Sequence, residues 1–329
     1  PMKLSLKNTL LFASLSIATT YAQTTATFER DTTYTTYQAW TKIVKKYPQA
    51  RMVYERSSEK VKVYNNEVYA SLKNTAGQTR DLHLDVFTPT QKGKYPALIM
   101  IHGGGWRSGH KGMERPLAQR LAEQGIVGIP VEYRLSLEAK YPEAIYDIKA
   151  AIRWVKRHAE QLNVDTTRMA IEGNSAGGQL ATLVGMTGYD PTFEGSEGLA
   201  GATSRVQAVV NIDGVVDFLS PASIKIPRKP DAADAFWLGG TFETAPNRWK
   251  EASPIFHIDE HAVPVLFICS GQPRFHSGRD EMIDLLTQQH IYTEVHTFAD
   301  SPHSFWLLDP WFEPTLQHIL AFMQKQFKP

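Results

Sequence analysis

Cysteine is almost absent from this chain of 329 residues: Cys269 stands alone. A single thiol excludes an intramolecular disulfide and any zinc site built on several thiolates. Its place in the apolar run from Val263 to Cys269 makes it a core thiol rather than a nucleophile. Net charge is nearly absent too, with 35 Lys and Arg against 34 Asp and Glu. That balance lacks the electrostatic footprint of a nucleic-acid or membrane-surface binder. No apolar run is long enough for stable membrane insertion, and no low-complexity linker follows the Thr-rich stretch from Thr24 to Thr36. No internal repeat appears either. What remains, 42% hydrophobic and 21% charged, suits one large α/β domain or two smaller ones.

The first residues carry a different pattern. Met2-Lys3-Leu4-Ser5-Leu6-Lys7 is a short basic start, Thr9 to Ala18 is mostly apolar, and Thr20-Tyr21-Ala22 sets small residues ahead of Gln23. This predicts an export signal over residues 1–22, and hence a periplasmic or extracellular protein. Residues 23–60 read as a leader and a helix ahead of the main domain, residues 61–329.

Within that domain, apolar runs bounded by turn residues predict strands at Ala97 to Ile101, Ile126 to Val131, Met169 to Ile171, Val206 to Ile212, Val263 to Cys269 and Thr293 to Phe298. Helix-like segments lie between them, the clearest from Pro142 to Leu162. Such alternation gives a mostly parallel sheet covered by helices on both faces. Val61 to Leu72 and Asp81 to Phe87 alternate with period two and predict an antiparallel edge. The stretch from Phe218 to Ile258, rich in Pro, Ala, Trp and charge, reads either as a small lid over the active face or as an elaborate strand-to-helix connection.

Three segments carry chemistry. Gly173-Asn174-Ser175-Ala176-Gly177 fits the Gly-x-Ser-x-Gly elbow, in which a nucleophilic serine occupies a strained turn between strand and helix. Its neighbours must be small for strand and helix to pass the turn. Upstream, His102-Gly103-Gly104-Gly105-Trp106 follows a predicted strand. Backbone N–H groups of such a glycine turn can stabilise a carbonyl oxygen that becomes negative, which makes Gly104, Gly105 and Ala176 the expected oxyanion donors. His102 reads as a structural hydrogen bonder, because the base of this arrangement comes late in the chain. His303, in Pro302-His303-Ser304-Phe305 after the last predicted strand, holds that place.

Together with Glu132-Tyr133-Arg134-Leu135 and Tyr141-Pro142, these segments resemble the α/β-hydrolase serine esterases of the hormone-sensitive-lipase and bacterial carbohydrate-esterase type. The resemblance covers most of the chain from about Asp81 onward. It implies an α/β-hydrolase fold and cleavage of carboxylic esters without a metal or organic cofactor. With the export signal, it implies removal of acetyl, methyl or feruloyl groups from plant polysaccharide as partner substrate.

The family pattern also expects an acid in Gly-x-x-Asp after the strand at Val263 to Cys269, and here the chain reads Gly271-Gln272-Pro273-Arg274. Two other carboxylates are candidates, Asp213 as the first choice and Asp280 as the alternative. Asp213 ends the preceding predicted strand, where some lipases of this fold carry the acid. Asp280 lies further along the loop, where with Ser277 it also reads as a capping box for a helix from Glu281 to Gln289. Asp217 sits where the family has an aspartate of structural use. Arg274, His276 and Arg279 gather on the same loop and, with Trp106, are candidate substrate contacts. Either the arginines receive a uronate carboxylate, as in pectin or glucuronoxylan, or they tie the loop to neighbouring acids. Two other functions fit parts of the pattern: a peptidase on the same fold, or a non-catalytic binding protein that has lost its acid.

Overall fold

In a computed structural model the protein is described over residues 30–31, 33–73 and 77–328. The export-signal segment lies outside those residues. A single eight-stranded sheet organises them: β1 (Val61–Lys73), β2 (Thr79–Pro89), β3 (Tyr95–Ile101), β4 (Val127–Val131), β5 (Val164–Asn174), β6 (Ala208–Ile212), β7 (Val265–Ser270) and β8 (Thr293–Phe298). Their spatial order is β1-β2-β4-β3-β5-β6-β7-β8. β1 and β2 pair antiparallel, β2 meets β4 antiparallel, and every later pairing is parallel. This is the α/β-hydrolase architecture.

The central strands are apolar without alternation because both faces are covered. On β3, Ala97, Ile99 and Ile101 join one buried cluster, while Leu98 and Met100 join the other. The first face is covered by α3 (Glu143–Arg157), α4 (Ala176–Met186) and α5 (Arg279–Gln288), which contribute Ile148, Leu180 and Met282. The second is covered by α2 (Arg115–Glu123) and α6 (Phe312–Gln326), through Leu117 and Ile319. Helix α1 (Thr36–Ile43) begins where the Thr-rich stretch ends, with the Thr35 side chain accepting from the Gln38 N–H at 3.1 Å.

The helix expected from Pro142 to Leu162 is two helices. His158 leaves helical geometry between α3 and a short helix at Ala159–Leu162, and its ring Nδ1 bonds back to the Trp154 carbonyl at 2.8 Å. Periodicity alone does not register this break, since the apolar spacing continues to Leu162.

Strand register positions everything that follows. Ile101 at the end of β3 lies opposite Gly173 on β5, and Asn174 lies opposite Ile212 on β6. The glycine turn, the serine turn and Asp213 therefore leave three neighbouring central strands along one edge formed by their carboxyl ends, where ligands of parallel sheets bind. Above that edge, the chain between β6 and β7 forms short helices at Pro221–Ile224, Ala233–Leu238 and Pro246–Glu251. The Trp237 ring stacks on Trp106 of the glycine turn, with centroids 5.1 Å apart and planes 9° from parallel. Among the described residues no helix is long and apolar enough to cross a membrane.

Candidate active site

Ser175 sits between β5 and α4 with φ 54° and ψ −120°, a conformation that costs energy for any side-chain-bearing residue and persists only where its surroundings enforce it. Its N–H donates to the Ile212 carbonyl at 2.8 Å, tying the turn to β6. Small neighbours are required sterically: a Cβ on Gly173 would run into the Gly177 backbone, and one on Gly177 into the Ile101 carbonyl. The elbow thus closes only on glycine.

His303 reaches this serine from the loop after β8. Its Nε2 lies 2.8 Å from Ser175 Oγ, and its Nδ1 lies 2.8 Å from Asp213 Oδ2. A carboxylate only accepts, so Nδ1 carries the proton and Nε2 is left to accept from the serine hydroxyl. Asp213 is buried, and its Oδ1 accepts the Ser270 N–H at 2.7 Å. Burial alone would raise its carboxyl; the imidazoles of His276 and His303 outweigh burial and hold it below the ordinary carboxylate range. Burial also lowers the pKa of His303, opposed by Asp213 and reinforced by Arg274 and His276, so its ring stays neutral and able to accept.

Asp280 does not approach this assembly. It is exposed at the first turn of α5 and pairs with Arg279 at 2.8 Å. The capping box expected around it does not form either. Gly278, in left-handed conformation, occupies the cap position, and Ser277 Oγ donates to the Asp217 carbonyl at 2.8 Å. Asp217 accepts the Leu219 N–H at 2.7 Å, a local turn bond.

The glycine turn lies beside the serine. Gly104 has φ 124°, and a Cβ there would collide with the Ser108 carbonyl. Gly105 and Ala176 line the same cavity as Ser175 and His303, with Gly104 one residue behind them. Among the described residues no group accepts the N–H of Gly104, Gly105 or Ala176. Ala176 also opens α4, whose positive dipole end faces the serine. His102 is buried away from the cavity, with Nδ1 donating to the Gly103 carbonyl at 2.8 Å, and burial lowers its pKa to about 3.

The cavity measures about 470 Å³ and is mostly apolar, walled by Trp106, Val215, Phe218 and Ile226, with Arg274 and Phe275 also lining it. His276 and Arg279, expected as substrate contacts, are not among its lining residues. The His276 Nε2 is 3.6 Å from Asp213 Oδ1, behind the acid, and Arg279 Nη1 reaches Cys269 Sγ at 3.4 Å. The helical turn Pro273–His276 aims its side chains in different directions, which loop proximity in sequence does not reveal. Cys269 is buried and its thiol is pushed up to about 11 by that burial.

Three residues that pattern reading passed over support the site. Asn174 accepts the Gly103 N–H through Oδ1 at 2.9 Å and donates to Glu114 at 2.8 Å, locking the glycine turn to the elbow. Gln179 accepts from Trp106 Nε1 at 2.8 Å and donates to the Ala252 carbonyl at 2.8 Å. Phe275 stacks on His303, with centroids 3.3 Å apart. Their sequence signal is position alone: Asn174 precedes Ser175, Gln179 follows it by four residues, and Phe275 follows Arg274.

The family model BD-FAE matches residues 84–292, well over half of the chain. The chain belongs to the BD-FAE family. Among relatives of this BD-FAE protein, the Mycobacterium tuberculosis protein named "Probable carboxylic ester hydrolase LipM" is 34% identical over 58% of this chain and 44% of its own length. Esterase LipC of the same organism is 32% identical over 70% of this chain and 58% of its own. The chain thus spans about half the length of the curated relatives it matches. A solved structure described as a truncated carbohydrate esterase from gut microbiota superposes with a TM-score of 0.68 over 83% of this chain and 99% of that one, at 24% identity. That likeness establishes the fold.

Proposed function

We propose that this BD-FAE protein is a secreted serine carboxylic-ester hydrolase that removes acetyl, methyl or feruloyl groups from plant polysaccharide through an acyl-enzyme. The hydrogen-bonded chain Ser175 Oγ, His303, Asp213, with both links at 2.8 Å, carries this reading. Ser175 Oγ attacks the ester carbonyl while His303 Nε2 takes its proton, and Asp213 orients the imidazole and stabilises the imidazolium. The N–H groups of Gly104, Gly105 and Ala176 receive the oxyanion. His303 returns the proton to the departing alcohol, and a water then releases the acyl group by the same steps in reverse. The names of the esterase relatives support the reaction class, the carbohydrate-esterase neighbour supports the substrate, and the pattern at residues 1–22 supports export.

The binding-protein reading rested on a missing acid, and the 2.8 Å approach of Asp213 Oδ2 to His303 Nδ1 supports the catalytic reading over it. The test is hydrolysis of 4-nitrophenyl acetate, acetylated xylan, methylated pectin and a feruloylated oligosaccharide by the wild type and Ser175→Ala. Turnover should vanish in the variant. Because the lowered pKa of His303 keeps it neutral, kcat/KM should hold as pH falls to its ordinary 6.5 and decline only below that. Hydrolysis that survives Ser175→Ala defeats the proposal.

A further inference from the structure

Four charged side chains line the cavity, and three of them are already satisfied. Asp213 is engaged by His303, while Arg228 and Asp234 neutralise each other at 3.0 Å. Arg274 differs from these. It is exposed, and among the described residues no carboxylate lies within ion-pairing distance of it. Its guanidinium carbon lies 4.4 Å from the centre of the Phe275 ring, and Phe275 in turn stacks on His303. The cation is therefore held one aromatic ring away from the base, at the wall of a mostly apolar pocket. A guanidinium lying on an aromatic face keeps its in-plane N–H fork free, the geometry that matches a carboxylate in bidentate fashion.

The sequence explains why a cation can stand there. Esterases that this chain resembles carry the acid of the relay at the fourth position of Gly-x-x-Asp after β7, and here that position is Arg274. With Asp213 supplying the carboxylate from the end of β6, the loop after β7 no longer has to serve His303. The sign of the charge on this wall is thereby inverted. An anionic substituent meets attraction there, and a neutral one leaves the guanidinium unpaired.

Building on the esterase reading above, we propose that Arg274 is a specificity residue: it receives a carboxylate on the carbohydrate next to the scissile ester, so that esters of uronate-bearing glycans are preferred over neutral ones. The arginine pair of the loop does not act together, because Arg279 is engaged by buried Cys269 and exposed Asp280.

The experiment compares acetate release from an acetylated xylo-oligosaccharide bearing a glucuronic acid branch with release from the same molecule whose uronate is converted to the carboxamide. The wild-type kcat/KM ratio of acid to amide should be about tenfold, the scale of one charge-assisted contact at an exposed wall. It should fall to near one in Arg274→Gln, recover in part in Arg274→Lys, and shrink when salt is raised from ~50 to ~500 mM. Competition by glucuronate against glucuronamide in 4-nitrophenyl acetate hydrolysis gives the same ratio without depending on the acyl position chosen. A ratio near one in the wild type, or one that Arg274→Gln leaves unchanged, overturns the proposal. If 4-nitrophenyl acetate itself shows no Ser175-dependent hydrolysis, the esterase reading fails first, and this inference with it.

Discussion

Position 213 shows how much one residue decides. Asp213 has φ 52°, a left-handed conformation that a side-chain-bearing residue rarely takes, directly after the last residue of β6. Its carboxylate faces His303 on one side and the Ser270 N–H on the other. Asp213→Asn keeps the shape but reverses the hydrogen-bond demand on Nδ1, which forces the wrong imidazole tautomer. We expect kcat to fall by roughly 10³ to 10⁴, as loss of the orienting acid does in serine hydrolases. Asp280→Asn removes an exposed charge paired with Arg279, and its kcat should stay within about twofold. Steady-state kinetics on 4-nitrophenyl acetate with both variants decides, and the opposite ranking would return the role to Asp280.

Among the elements, the glycine turn after β3 does what no helix or strand could. It carries the Gly104 and Gly105 N–H groups past the serine only because Gly103 and Gly104 admit close approach, to Asn174 and Ser108 respectively. Gly104→Ala adds a methyl aimed at the Ser108 carbonyl at a φ disfavoured for alanine. The turn must then move, and with it the proposed oxyanion donors. kcat should drop by about 10²-fold or more while the folded protein keeps its circular dichroism spectrum. Full activity in this variant would show that the oxyanion is held elsewhere.

For the molecule as a whole, the insertion between β6 and β7 is joined to the glycine turn through stacked aromatics. Trp237 is fully buried between Trp106 and Tyr141, whose ring meets it edge-on at 5.2 Å. Removing it leaves a cavity between the insertion and the glycine turn at once. Trp237→Ala should cost about 3 to 5 kcal/mol in urea unfolding, the usual range for a large buried aromatic. It should also lower activity, since Trp106 lines the cavity and loses its stacking partner. Stability within 1 kcal/mol of wild type would mean the insertion folds onto the sheet by other contacts.

Much of the fold was legible in order. Strands with both faces buried appear as continuous apolar runs, and those from Ala97 to Phe298 fall on β3 to β8 in the expected sequence. The serine, the glycine turn and the late histidine were legible for the same local reason. Each needs a particular residue beside particular neighbours, such as glycines where a Cβ has no room, and local steric rules are written in adjacent letters. Tertiary structure decided the partner of His303, because local sequence favours Asp213 only slightly over Asp280 and it is strand register that brings the end of β6 to the loop after β8. It also separated Arg274 from His276 and Arg279: the turn Pro273–His276 sends Arg274 to the cavity and His276 to the acid, and Arg279, at the start of α5, reaches Cys269. Direction in space depends on backbone dihedrals set by long-range packing, and that information is spread over the whole chain rather than held in the residues it orients.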